Sequence, residues 1–290
     1  MLHDEDSLVN DLEALGVNKG DVLLVRADLG KVGKVKGRIG ETIINALLTA
    51  VGIEGTIMAL SFTKTFLLQK IDKKYVFDNN TVPITGALAK LFLKHPSSIR
   101  SRHPSNSFVA IGRYASELLE GHDENSLSFS PIEKLLQLNG KMILIGCVDT
   151  SPGFTTVHYA QQKLGLTSRN LLSNKIGVYF ERNSQIKLFK RKDFGGCSKG
   201  FYKFYSYYIN NKKLKSGRFG NANTIVIESN DAFNIEYEIL KKNPRFALCD
   251  IPDCLSCRGT VLYNKRDMPL FYLKYFPLVI KKMYLRPVKK

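Results

Sequence analysis

Residues 154–165 read FTTVHYAQQKLG and set Thr155, His158 and Gln161 at three-residue intervals. On a helix such residues share one face. Histidine is suited to take a proton from a nucleophile near neutral pH. On residue types alone, a lone histidine in an apolar helix is more often a hydrogen-bonded core residue than a base. No acidic residue stands beside it, so a carboxylate to orient the ring has to come from elsewhere, with Asp149 and Asp123 as candidates.

Two further groups could carry chemistry. In VRADLGKVGKVKGRIGETI, Gly30, Gly33, Gly37 and Gly40 alternate with Lys31, Lys34, Lys36 and Arg38, and a helix starts near Gly40. Free amides at a helix N-terminus with nearby cations suit a phosphate. The glycine spacing fits neither the Walker loop nor the dinucleotide fingerprint, and a solvated basic loop is the alternative. In CDIPDCLSCRG, Cys249, Cys254 and Cys257 follow a C-x4-C-x2-C spacing, with Cys197 upstream in FGGCSKGF. Four thiolates suit a structural zinc ion, while buried thiols and an iron–sulfur cluster are the alternatives. Cys147 has no neighbouring base to make it a nucleophile.

These residues need a scaffold. Periodicity predicts helices over 5–16, 40–52, 84–96, 130–140 and 155–165, and strands over 20–29, 55–62, 107–112, 141–148 and 221–229. Ser130, Pro131 and Glu133 form a helix-start pattern. Strand, loop, helix and strand within 20–62 are an α/β unit, so the expectation is a three-layer α/β/α fold around a mixed, largely parallel sheet. The character changes near residue 248, dividing the chain into 1–248 and a cysteine-containing, basic aromatic extension over 249–290.

The chain has 290 residues and a formal net charge of +17. That excess attracts anions and repels polycations. No apolar run approaches the roughly 20 residues of a membrane-spanning helix. The acidic, amphipathic N-terminus is unlike a signal peptide, which makes the cytoplasm the expected compartment. The basic aromatic tail is either packed on the domain or laid on an anionic surface such as the inner face of the membrane.

The ordered motifs resemble the aminoglycoside 3-N-acetyltransferase family, also called the antibiotic N-acetyltransferases. The elements that carry the likeness are Gly20-Asp21 with the strand after it; Gly33, Gly37 and Gly40; Val51-Gly52 through Gly55-Thr56; Arg100, Ser101, His103, Pro104 and Ser107; Ser130, Pro131 and Glu133; Gly140-Lys141; Thr155, His158, Tyr159 and Ala160; and Gly217, Gly220 and Ala222. The resemblance implies acetyl transfer from acetyl-coenzyme A to a sugar amine, with His158 as base and Thr155 and Gln161 beside it. Coenzyme A contacts are expected from Arg26, Asp28, Leu29, Gly33, Lys34, Gly37, Arg38, Gly40, Ser101, His103, Ser107 and Ser130. Lys34, Arg38 and the helix start at Ser130 would hold its phosphates.

Two positions depart from the family pattern: Gln161 stands where the family has an acid, and Arg26 where it has a histidine. Both remove affinity for a cation. With the positive charge, they point to an anionic amino sugar, nucleotide-linked or part of a surface polysaccharide precursor, rather than an aminoglycoside. The rival readings are an inactive homologue, motivated by Gln161, and a nucleic-acid-binding protein using the basic aromatic residues. The second leaves the ordered motifs unexplained, so nucleic acid is not an expected partner.

Overall fold

The computed structural model describes residues 2–252, 254, 256–257, 269–270, 273–277 and 280. Helix α1 (Glu5–Ala14) opens with Asp4, whose carboxylate accepts from the Ser7 amide. The chain then runs through β1 (Val22–Ala27), α2 (Ile39–Val51), β2 (Thr56–Leu60), α3 (Ala87–Lys94), β3 (Ile99–Arg100), β4 (Phe108–Gly112), α4 (Ala115–Leu119), α5 (Pro131–Gln137), β5 (Lys141–Ile145) and α6 (Thr156–Lys163). It continues with the hairpin β6 (Ile176–Arg182) and β7 (Gln185–Lys190), then α7 (Tyr205–Asn210), β8 (Lys215–Phe219), β9 (Ala222–Glu228) and α8 (Ser229–Lys242).

Seven strands form one sheet in the order β8-β9-β5-β1-β2-β4-β3. Only β5-β1 and β1-β2 pair in parallel; the two pairings on each flank are antiparallel. The sheet is therefore mixed, as expected, but its parallel part is confined to the centre. The strand sequences could not reveal this. A strand buried on both faces is apolar throughout, whichever direction its neighbours run.

Alternate residues of each strand feed two cores. Leu23, Val25, Ile57, Ala59, Ile143 and Ile145 pack with Leu8, Leu12, Ile43, Leu47 and Phe92 from α1, α2 and α3. Val22, Leu24, Met58, Met142 and Leu144 pack with Ile132 and Leu135 of α5, Val157 and Ala160 of α6, and Ala232 and Leu240 of α8. The sheet is thus covered on both faces, giving the expected three layers.

Helix ends are shorter than periodicity implied. α6 covers Thr156–Lys163 rather than 155–165, and α3 begins at Ala87 after Gly86, whose φ is +102. Ser130 does not cap α5 with its side chain; its hydroxyl instead donates back to the Leu127 carbonyl at 3.0 Å. The hairpin, β8 and α8 were not anticipated. Asn183 and Ser184, both at positive φ, form the two-residue turn between Arg182 and Gln185. The boundary expected at residue 248 falls inside a packed cluster, because Leu248, Cys249 and Cys257 pack together with Cys197. Among the described residues, no helix is long and apolar enough to cross a membrane. Most of the basic tail, with its expected surface contact, lies outside the described residues.

Candidate active site

The loop between β5 and α6 sets the histidine. Arg26, near the C-terminal end of β1, donates to the Gly153 carbonyl at 2.6 Å, to the Ser151 carbonyl at 2.8 Å and to the Ser151 hydroxyl. Its guanidinium, expected among the coenzyme A contacts, here clamps the loop that leads into α6. Tyr205 donates to the Val148 carbonyl at 3.0 Å and accepts from the Gly153 amide at 2.8 Å, closing the same loop from the other side. Gly153 sits at φ +77 with Phe201 over it, and an added Cβ would lie 2.1 Å from the Phe201 Cβ.

One turn into α6, the His158 ring lies flat on Phe129, with centroids 4.8 Å apart and planes 17° apart. Phe201 meets it edge-on at 4.7 Å. The Nδ1 atom is 3.1 Å from the Gln161 amide oxygen. That oxygen can only accept, so Nδ1 carries the proton and the Nε2 lone pair is left for proton transfer. Nε2 makes no hydrogen bond among the described residues. Removal from water by these walls lowers the His158 pKa to about 4, against a smaller upward effect of the Gln161 bond; Arg191 and Arg26 lower it further. The imidazole is neutral at pH 7, the form a base requires.

Gln161 is itself buried. Its oxygen occupies the Nδ1 side of the ring, where an orienting carboxylate was expected. Asp123, one candidate for that role, instead pairs with Arg182 at 3.2 Å. Asp149 lines a cavity beside the loop. Thr155 is buried at the start of α6, but it is Thr156 that donates to the buried Glu236 carboxyl, at 2.9 Å. Burial raises the Glu236 pKa to about 8, so it is mostly protonated at neutral pH. Burial also pushes the Cys147 thiol up, which leaves it a poor nucleophile.

Gly195 presses on the other side of the pair. A Cβ there would stand 2.7 Å from His158 Nδ1. It belongs to a segment tied down by Asp193, which accepts from the Ser128 amide at 2.9 Å and the Ser128 hydroxyl at 2.8 Å. Phe129, Phe201, Gly195 and Asp193 were missed in the sequence. Only the Gly195-Gly196 pair carried a signal, that of a close backbone approach.

The expected coenzyme residues divide into two groups. Lys34, Gly37 and Arg38 are exposed before α2, whose N-terminus has no side-chain cap. Arg38 also pairs with Glu41 at 3.0 Å. Asp28 turns this loop by accepting from the Gly30 amide at 3.2 Å, and Leu29 is buried beneath it. Gly33 lies at φ +94 against Asn221, and Gly40 lies under Leu91, leaving no room for a side chain.

The second group belongs to the scaffold, not to an open surface. Ser101, His103 and Ser107 are buried. The Ser101 hydroxyl accepts from the Phe108 amide at 2.9 Å and meets His122 Nδ1 at 2.9 Å. His103 Nδ1 accepts from the Asn106 amide at 3.0 Å, and its ring stacks on His122 at 4.8 Å. Ser107 donates to the Ser61 carbonyl at 2.6 Å and accepts from Arg100 at 3.0 Å. Ser130 is half-buried, its hydroxyl committed to Leu127.

Two cavities flank the 147–153 loop. One of about 330 Å³ opens at the C-terminal ends of β1 and β2, lined by Arg26, Leu60, Thr85, Cys147 and Ser151. Ligands of open α/β sheets bind in that position. The other, of about 780 Å³, is lined by Asp149, Pro152, Lys199, Tyr202, Tyr205 and Cys249. His158 lines neither. Beyond the larger cavity, the Sγ atoms of Cys197, Cys249, Cys254 and Cys257 all lie within 4.8 Å of one another.

A family model described as aminoglycoside 3-N-acetyltransferase matches residues 24–241. Aminoglycoside N(3)-acetyltransferase III of Salmonella sp is 32% identical over 201 residues, covering 64% of this chain and 69% of its own. The SPbeta prophage-derived aminoglycoside N(3')-acetyltransferase-like protein YokD of Bacillus subtilis is 27% identical over 243 residues, 76% of this chain and 85% of its own. Among solved structures, AAC-IIIb in a binary complex with coenzyme A has the same fold, with a TM-score of 0.72 and 23% identity over 83% of this chain and 97% of that one.

Proposed function

The chain belongs to the aminoglycoside 3-N-acetyltransferase family as an acetyl-CoA-dependent N-acetyltransferase, and on that premise we propose that it acetylates an amino sugar carrying negative charge. A nucleotide-linked sugar or a surface polysaccharide precursor has that chemistry. The observation that carries the proposal is Gln161, a neutral amide buried at 3.1 Å from His158 where the family pattern has an acid. Nothing negative faces the histidine from that position, and the chain as a whole is +17. A polycation would meet repulsion here; an anion would be drawn in.

The reaction needs an unprotonated amine. Its nitrogen attacks the thioester carbonyl of acetyl-CoA, Nε2 of His158 takes the proton released as the N–C bond forms, and the thiolate of coenzyme A leaves as the C–S bond breaks. His158 is placed for this by Phe129, Phe201 and Gln161, which fix the ring and its tautomer. The exposed Lys34 and Arg38, beside the uncapped N-terminus of α2, are assigned to the coenzyme phosphates.

The test is coenzyme A release from acetyl-CoA across a panel of amines. A nucleoside-diphosphate amino sugar should give a higher kcat/KM than a matched neutral amino sugar, and both should exceed a polycationic aminoglycoside. An aminoglycoside heading the series would overturn the proposal.

A further inference from the structure

We propose that Cys197, Cys249, Cys254 and Cys257 hold one structural zinc ion, and that this ion pins the 193–201 segment against His158. None of the five cysteines is joined in a disulfide. Four of them converge from two distant stretches of sequence, while Cys147 lies apart at the end of the sheet. Cys197 Sγ is 3.7 Å from Cys254 Sγ and 3.2 Å from Cys257 Sγ. A disulfide needs about 2.05 Å. Zinc–sulfur bonds of about 2.3 Å in a tetrahedron put sulfurs about 3.8 Å apart. The observed spacing, up to 4.8 Å, brackets that value, and an ion at the centre would draw the four sulfurs to it.

The surroundings suit a closed structural site. Cys249 and Cys257 are buried, Cys197 and Cys254 half-buried, and no histidine or carboxylate joins the group among the described residues. Four thiolates on a divalent ion leave a net negative charge. Lys203 stands near it, donating to the Leu248 carbonyl at 2.8 Å and pairing with Asp250 at 2.6 Å.

The backbone brings the two ligand stretches together. Gly200 packs so closely on residues 247–249 that a Cβ would lie 2.5 Å from the Ala247 carbonyl oxygen and 2.7 Å from the Cys249 nitrogen. Two residues before Cys197, Gly195 abuts His158; four residues after it, Phe201 meets the ring edge. One ligand of the ion thus sits between the two contacts that wall in the histidine. The consequence for turnover rests on the proposed role of His158; the metal site does not, so the two can fail separately.

The full chain, purified without chelator, should contain about one zinc per chain by elemental analysis. Mercurial titration of four thiols should release it, and cobalt exchange should give the visible absorption of a tetrahedral thiolate site. Cys254→Ser should lose the metal. Should that variant fail to fold, the thiol titration and the cobalt spectrum of the unaltered protein carry the same test. Hydrogen exchange before and after metal extraction should quicken in 193–201 and 245–252 and leave 141–145 protected. Protein without zinc and with four titratable thiols, disulfides among these cysteines, or iron with a visible cluster spectrum would each overturn the site. Zinc present with unchanged exchange in 193–201 after its removal would overturn the pinning.

Discussion

At the scale of single residues, the account rests on a neutral histidine held by a glutamine. Gln161→Glu would place a carboxylate about where the amide now meets Nδ1, stabilising the imidazolium. The His158 pKa should then rise from about 4 by about one pH unit or more. An imidazole NMR titration would show it, and an unmoved midpoint would mean that Gln161 does not hold the ring. Gly195→Ala tests the other side. A Cβ 2.7 Å from Nδ1 has to displace the ring or the segment, and a shift of that kind costs about 10–100-fold in turnover. Coenzyme A affinity should stay as it is. Turnover unchanged in this variant would remove the 193–201 segment from the site.

At the scale of elements, residues 99–122 pack two histidines into the scaffold. Burial holds His103 well below the usual imidazole range and His122 at about 3. Unfolded, each would titrate near its ordinary value of about 6.5. Between that value and the folded one the unfolded chain binds the extra proton, so stability is full above about pH 6.5 and falls as the solution is acidified. At pH 5 the loss is about 2 kcal/mol for His122 alone. Urea unfolding at pH 7 and pH 5 should show it, and His122→Asn should flatten the dependence. An equal loss in the variant would place the acid sensitivity elsewhere.

The elements also mark what the sequence could reveal. The apolar strands and amphipathic helices of the first 165 residues were legible because their side chains face one or two cores at regular intervals. The β6-β7 hairpin was not: Gln185, Ile186, Lys187 and Leu188 alternate polar and apolar, but all four face solvent, so the stretch has no buried face to mark it as part of a core. The place of His158 was legible from its neighbours in sequence. Its walls were not, because Phe129, Gly195 and Phe201 arrive from elements 29 or more residues away. Ser101, His103 and Ser107 were expected to contact coenzyme A, with a structural role as the alternative for His103; all three are buried, and beside them Arg100 braces strands and loops by donating to the carbonyls of Ser61 and Asn79 and to Ser107.

At the scale of the whole molecule, a charge of +17 should shape encounter with substrate. Raising ionic strength from 0.01 M to 0.15 M shortens screening from about 30 Å to about 8 Å. The KM for an anionic acceptor should rise over that interval, while that for a neutral amino sugar stays level. Equal responses would separate the charge from acceptor choice. Reversing Lys34 and Arg38 together to glutamate should raise the coenzyme A dissociation constant at low salt; an unaltered value would remove their loop from the coenzyme site. The central claim, that His158 takes the amine proton during acetyl transfer, is tested most directly by the turnover of His158→Ala with a saturating acceptor. A positioned base contributes about 10²–10⁴-fold. The account predicts a loss of that order with coenzyme A affinity unchanged; more than half of the activity remaining would contradict it.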